Sequence, residues 1–184
     1  MNWETHNDKG KEALSRGLPT VAERHLQEAL FEATRFGLED LRLAETLRNL
    51  AKLYRLQGQL SKAEPLCEQA LEIRQTVRGP GHPEVAGNLA ELARIYRAQG
   101  KYSQAEALYD RASAIVHKRL GEEHVDTAAI LNDIAGLYRT QGRYQEAELL
   151  VRKCLEIWTE KLGASHPYCA IGLECARPAL PGEG

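Results

Sequence analysis

A step of 42 residues governs this chain. Tyr54, Tyr96 and Tyr138 are spaced by it, and so are Gly58, Gly100 and Gly142. Ala51, Ala93 and Ala135 follow the same step, as do Ala63, Ala105 and Ala147. Gly79, Gly121 and Gly163 form a further column, and His82, His124 and His166 another. So many columns agreeing on one step exclude coincidence. They dictate a modular chain in which each unit is one supersecondary element that buries its faces only by stacking on its neighbours.

Within a unit the apolar spacing is helical. Val85, Leu89, Leu92, Ala93 and Tyr96 paint one stripe along a helix. Gln99-Gly100-Lys101 ends that helix, because glycine takes the left-handed conformation that closes a last turn. Tyr102, Ala105, Leu108, Tyr109, Ala112 and Ile115 form a second stripe, closed by Gly121. Pro19, Pro83 and Pro167 fall where a missing N–H costs least, in the first turn of a new helix. Pro65 falls about one turn inside its helix, where a slight irregularity is expected. The alanine columns mark the seam of an antiparallel helical hairpin. The expected fold is therefore all-α, a stack of hairpins over residues 1–178: 1–37, 39–79, 82–121, 124–163 and a partial fifth helix at 166–177. The first hairpin is a weaker copy, with Gly17, Ala22 and Ala29 on a step of 41 and Gly10 in the small-residue place. Arg177 and Pro178 break the pattern, and residues 179–184 read as a disordered tail.

Leu89, Leu92, Ala93, Tyr96, Gly100, Tyr102, Ala105 and Ala112 resemble the tetratricopeptide repeat. Its usual period is about 34, so a step of 42 puts about eight extra residues between hairpins. The longer period, with Leu-Tyr-Arg-x-Gln-Gly and Leu-Gly-x-x-His-Pro text, is similar to the kinesin-light-chain subfamily across residues 40–170. The resemblance implies a right-handed α-solenoid whose first helices line a concave groove.

Composition narrows the function classes. The 184 residues carry 24 Lys+Arg against 26 Asp+Glu, a net charge of −2, which argues against a dominant nucleic-acid binder. No apolar run approaches the roughly 18 residues of a membrane helix. Met1 to Lys9 lacks the apolar core of a signal peptide, so a cytoplasmic, reducing location is expected. There Cys67, Cys154, Cys169 and Cys175 are expected as thiols, since no Cys-x-x-Cys pair occurs.

His82, His124 and His166 invite a metal reading. Neighbouring helices lie about 8–10 Å apart, too far for successive histidines to share an ion with bonds near ~2 Å. A helix-start role is expected instead. His6, His25 and His117 show no ligand spacing, and no phosphate loop, nucleophile elbow or zinc-protease motif is present. The tyrosine column reads as core. No cofactor is expected, and the chain reads as a non-enzymatic module.

The candidate site is then the face just off the apolar stripes: Arg48, Asn49, Lys52 and Arg55; Glu91, Arg94 and Arg97; Asn132, Asp133 and Arg139. Arg55, Arg97 and Arg139 share the 42-residue step and offer a ladder of planar donor forks suited to carboxylates. The plainer alternative is that each Arg pairs with a nearby Glu. Chaperone-binding relatives hold a terminal carboxylate with Lys, Asn, Asn, Lys and Arg. The matching places here are Asn7, Lys11, Asn49, Gly87 and Glu91, of which only Asn49 agrees, and Glu91 repels a carboxylate. Shifting by one repeat gives no better match. Kinesin light chains bind short acidic peptides with an aromatic anchor, and the arginine column suits that chemistry. No heptad segment for a motor chain is present.

The leading expectation is a protein-interaction scaffold that takes an extended peptide, of acidic character, or a partner helix in the groove. The alternatives are a self-assembling or adaptor unit that forms homo-oligomers through uncapped terminal repeats, with Trp158 at the contact, and a helical-repeat RNA binder. No membrane partner is expected.

Overall fold

The computed structural model describes residues 2–176. Met1, Arg177, Pro178 and the tail at 179–184 lie outside the described residues. Nine helices occur among those described: α1 (Trp3–Ser15), α2 (Pro19–Thr34), α3 (Leu41–Leu56), α4 (Leu60–Arg78), α5 (Pro83–Ala98), α6 (Tyr102–Leu120), α7 (Val125–Thr140), α8 (Tyr144–Leu162) and α9 (Pro167–Ala176). No strand appears among them. The starts of α3, α5, α7 and α9 keep the 42-residue step to the residue, and so do those of α4, α6 and α8.

The extra length is not where the family period suggested. Only residues 79–82, 121–124 and 163–166 join successive hairpins from α4 onward. The second helices are long instead, 19 residues each in α4, α6 and α8. α4 also runs unbroken through Pro65, which is exposed.

Each first helix from α3 onward is started by the residue at one column. The His82, His124 and His166 Nδ1 atoms accept from the backbone N–H two residues on, at 3.2, 3.1 and 3.2 Å. Asp40 fills the same column and accepts from the Arg42 N–H at 2.8 Å. These are N-caps: the side chain satisfies a donor that the first turn leaves open. An accepting Nδ1 fixes the ring proton on Nε2. The expected helix-start role is thus the one these rings perform.

The first helices end alike. Gly58, Gly100 and Gly142 have φ of 73°, 76° and 77°. The following N–H groups donate back to Tyr54, Tyr96 and Tyr138 carbonyls at 2.8, 2.9 and 2.8 Å. This is the glycine-closed turn the sequence called for.

The chain divides into two compact units, residues 1–101 and 102–184. In the first, α1 pairs with α2 and α3 with α4, while α2 packs on α3 and α4 on α5. Ala22, Ala29, Ala51, Ala63, Ala70 and Ala93 are fully buried, as seam positions must be. A Cβ at Gly10 would stand 2.6 Å from Leu26 Cδ2, so that place admits no larger residue without repacking. Second-helix carboxylates clip the next hairpin: Tyr54 donates to Glu23 at 3.0 Å, and Gln99 and Lys101 donate to Glu64 at 2.7 and 3.2 Å. The Tyr54 and Tyr96 rings are half-buried rather than core, with Lys62 and Lys101 over their faces.

In the second unit α7 pairs with α8, α6 packs on α7 and α9 on α8. Arg143 reaches Glu106 at 3.3 Å and lies over the Tyr138 ring. Trp158 is buried, not at a surface contact. It packs with Ala128, Cys154, Ile157 and Cys169, and its Nε1–H points to the Val125 carbonyl at 3.4 Å. α9 covers it: Gly172 comes close enough that a Cβ there would meet Trp158 at 3.3 Å.

Candidate functional site

In the first unit α1 touches α3 and α3 touches α5, whereas α2 and α4 do not meet. First helices are thus drawn together and second helices are splayed, which makes the α1–α3–α5 face the inner one of this unit. Every predicted site residue lies on α3, α5 or α7.

The centre of the face is Glu91, only 3% exposed. Arg55 Nε donates to one of its carboxylate oxygens at 2.7 Å and Arg94 Nη1 to the other at 2.6 Å. Arg55 is 16% and Arg94 28% exposed. Burial pushes the Glu91 carboxyl upward, but the two guanidinium groups outweigh it and hold the group below its ordinary value. Glu91 is therefore a paired anion that uses up part of two arginines. For Arg55 the ladder reading gives way to the plainer one, a Glu–Arg pair, because a carboxylate stands within reach on the next first helix.

Around this fork stand Arg48 and Lys52. Lys52 is exposed, yet its ammonium is lowered from its ordinary value, by desolvation first and then by Arg94, Arg55 and Arg48, with Glu91 opposing. Arg48 is half-buried, and a Cβ at Gly87 would lie 3.3 Å from its Nη1. The guanidinium rests against bare α5 backbone.

Asn49 is buried and donates to Asn7 Oδ1 at 2.9 Å. Asn7 in turn donates to Glu45 at 3.0 Å, and Lys11 reaches the same oxygen at 3.3 Å. Asn7, Lys11 and Asn49 are thus held in a network of their own. With Glu91 also engaged and Gly87 bearing no side chain, the five clamp places do not form a clamp.

Arg97 and Arg139 lie half-buried in the last turns of α5 and α7, where a cation complements the helix dipole. Asn132 and Asp133 are half-buried on α7, and Asn132 Oδ1 accepts no hydrogen bond among the described residues.

Known proteins share the fold. A family model described as tetratricopeptide repeat matches residues 4–76, 42–116 and 85–160. The chain is a tetratricopeptide repeat protein. Among solved structures, this repeat protein is 25% identical to a Podosopora anserina putative kinesin light chain with nearly identical TPR-like repeats. The match covers 94% of this chain and 82% of that one, at a TM-score of 0.71. BtubC (BKLC) from P. vanneervenii matches at 24% identity over 91% of this chain and 67% of that chain, TM-score 0.72. The APC/C hetero-tetramer Cut9-Hcn1 shares the fold at 15% identity, over 96% of this chain but 30% of that one, TM-score 0.67. The kinesin-light-chain-like character expected from the 42-residue step is therefore met in solved structures.

Two clusters in this tetratricopeptide repeat escaped sequence reading. His6 and His25, 19 residues apart, meet across the α1–α2 seam with Nδ1 atoms 3.2 Å apart. Burial, Arg24, His6 and Lys9 lower His25 from its ordinary value. Arg74 on α4 is 5% exposed and donates to the Oδ1 of Asn88, a fully buried residue of α5. A signal for the second existed. Arg74 is a polar break in the column of Val116 and Trp158, whereas Asn88 shares its column with Thr46 and Ile130. No helix among the described residues is long and apolar enough to cross a membrane.

Proposed function

We propose that this protein is a non-enzymatic interaction scaffold whose α1–α3–α5 face binds an extended peptide of acidic character. The observation that carries the reading is the cation excess around Glu91. One carboxylate there faces Arg55, Arg94, Arg48 and Lys52. Desolvation first, and then Arg94, Arg55 and Arg48, lower Lys52, and four cations around the one Glu91 carboxylate make a place of positive potential that favours any carboxylate brought to it. An extended chain suits the inner face because first helices present side chains in a row, one turn apart. The overall charge of −2 conceals this local excess.

The test uses a fluorescein-labelled hexaglutamate amide and fluorescence anisotropy in about 50 mM salt, where surface attraction is weakly screened. Wild type is expected to bind it, to ignore hexalysine, and to lose hexaglutamate on Lys52→Glu. Equal binding by wild type and Lys52→Glu contradicts the reading.

The self-assembly alternative receives no comparable support. Trp158 is buried, and the exposed positions of α1 include the charged Glu4, Asp8, Lys9 and Glu12.

A further inference from the structure

His6 and His25 stand where the other hairpins put leucine. On the 41-residue step that carries Gly17 to Gly58, His6 falls in the column of Leu47, Leu89 and Leu131. His25 falls in that of Leu66, Leu108 and Leu150. In the second hairpin Leu66 packs against the cluster that holds Leu47. Two leucines close such a seam with no polar group to satisfy. The first hairpin changes both members at once, and the two changes meet, with Nδ1 atoms 3.2 Å apart. His6 lies inside α1 and His25 inside α2, so neither ring serves as a helix cap.

That separation matches the edge of a tetrahedral ion's shell. Two bonds of about 2.0–2.1 Å at about 109° leave their nitrogen atoms about 3.3 Å apart. The rings are tilted by 46°, with centroids 5.5 Å apart. Without an ion, one Nδ1 carries a proton that the other accepts. A turn of each ring about its Cβ–Cγ bond, a broad torsion, brings both lone pairs onto one ion. The donor's Nδ1 proton then passes to its Nε2, so the neutral pair releases no net proton. Desolvation holds His25 toward its neutral form, the form that ligates, and Arg24, His6 and Lys9 act in the same sense. Arg24 and Lys9 also oppose a bound cation, and Glu28 favours one. Both rings are half-buried. No group of three or more His, Cys, Asp or Glu side chains that could hold a metal occurs among the described residues, so the remaining positions of the shell fall to water.

We propose that His6 and His25 form a two-histidine site for a divalent cation of the zinc class, bound through the Nδ1 of each ring. Imidazole nitrogen suits zinc, copper and nickel, whereas calcium and magnesium take oxygen. The ion ties α1 to α2 at the seam that leucines close elsewhere. The site stands apart from the peptide-face reading and does not depend on it.

The test uses the full chain and Zn2+ alone. Isothermal titration is expected to find one site, and Mg2+ to give no heat. His6→Leu and His25→Leu restore the residue of the other hairpins and are each expected to weaken Zn2+ binding by about tenfold or more. In nitrogen-15 spectra of the imidazole rings, Zn2+ is expected to move the His6 and His25 Nδ1 signals and to leave those of His82, His117, His124 and His166 in place. Zn2+ is also expected to raise the melting temperature of wild type but not of His6→Leu. The same melts show which variants fold, and His25→Gln stands in for a leucine variant that does not. Zn2+ binding by the folded variants equal to wild type, ring shifts at His117 or His124 in place of the pair, or no binding by wild type overturns the site.

Discussion

Glu91 shows how far a residue's sequence meaning depends on its neighbours. Read alone, an acid on the inner face repels acidic partners. Folded, it is neutralised by Arg55 at 2.7 Å and Arg94 at 2.6 Å, and the surrounding cations stay in excess. Its depressed pKa has a consequence for stability. A carboxyl held below its ordinary 4.5 contributes stability at pH above that value and loses it as pH falls through the folded value. Wild type is therefore expected to lose melting temperature as pH drops below about 4.5, and Glu91→Gln to show a flatter acid limb. Thermal melts from pH 7 to pH 3 read the difference; parallel curves contradict it. Arg74 and Asn88 carry the opposite lesson. Nothing in local periodicity announces a buried polar pair, because each residue alone reads as a solvated helix position. Comparison down the columns exposes Arg74, against Val116 and Trp158, but not Asn88, whose column also holds Thr46. Cys67 is buried beside this pair, and burial pushes its thiol up to about 12, with Glu91 adding to the effect.

Helix boundaries were the most legible feature, because caps are local chemistry. His82, His124 and His166 each accept a first-turn N–H, and Gly58, Gly100 and Gly142 each close a last turn. His124→Ala is expected to cost about 1 kcal/mol of stability, with His124→Asp restoring it, since either side chain offers the acceptor. Gly100→Ala places a Cβ at φ 76° and is expected to cost about 1–2 kcal/mol. Urea unfolding at constant slope measures both; a cost near zero for either removes the cap or the turn from the account. Helix length was less legible. The family period suggested added loop, whereas the chain spends the residues on 19-residue second helices joined by four-residue connections. An apolar stripe fixes the face of a helix but not where its last turn stops. Trp158 was misjudged for a related reason. Its partner α9 has little amphipathic pattern, so the sequence did not reveal that it covers the indole.

For the molecule as a whole, the 42-residue step predicted hairpins, and hairpins are present in both units. The same step suggested an arginine ladder, and that part dissolved into individual environments. Arg55 is paired to Glu91, while Arg97 and Arg139 sit at helix C-termini where their charge complements the backbone dipole. A repeat conserves geometry from unit to unit more strictly than it conserves chemistry. The proposed binding role rests on places where the columns differ: Gly87 against Glu45, and Glu91 against Asn49. These breaks lie on α3 and α5. The most direct measurement is a nitrogen-15 NMR titration of the protein with hexaglutamate amide. The account predicts that amide shifts concentrate on α3 and α5 around Arg48, Lys52 and Glu91, and vanish in Lys52→Glu. Shifts confined to α2, α4 and α8, or no shifts at all, would contradict it.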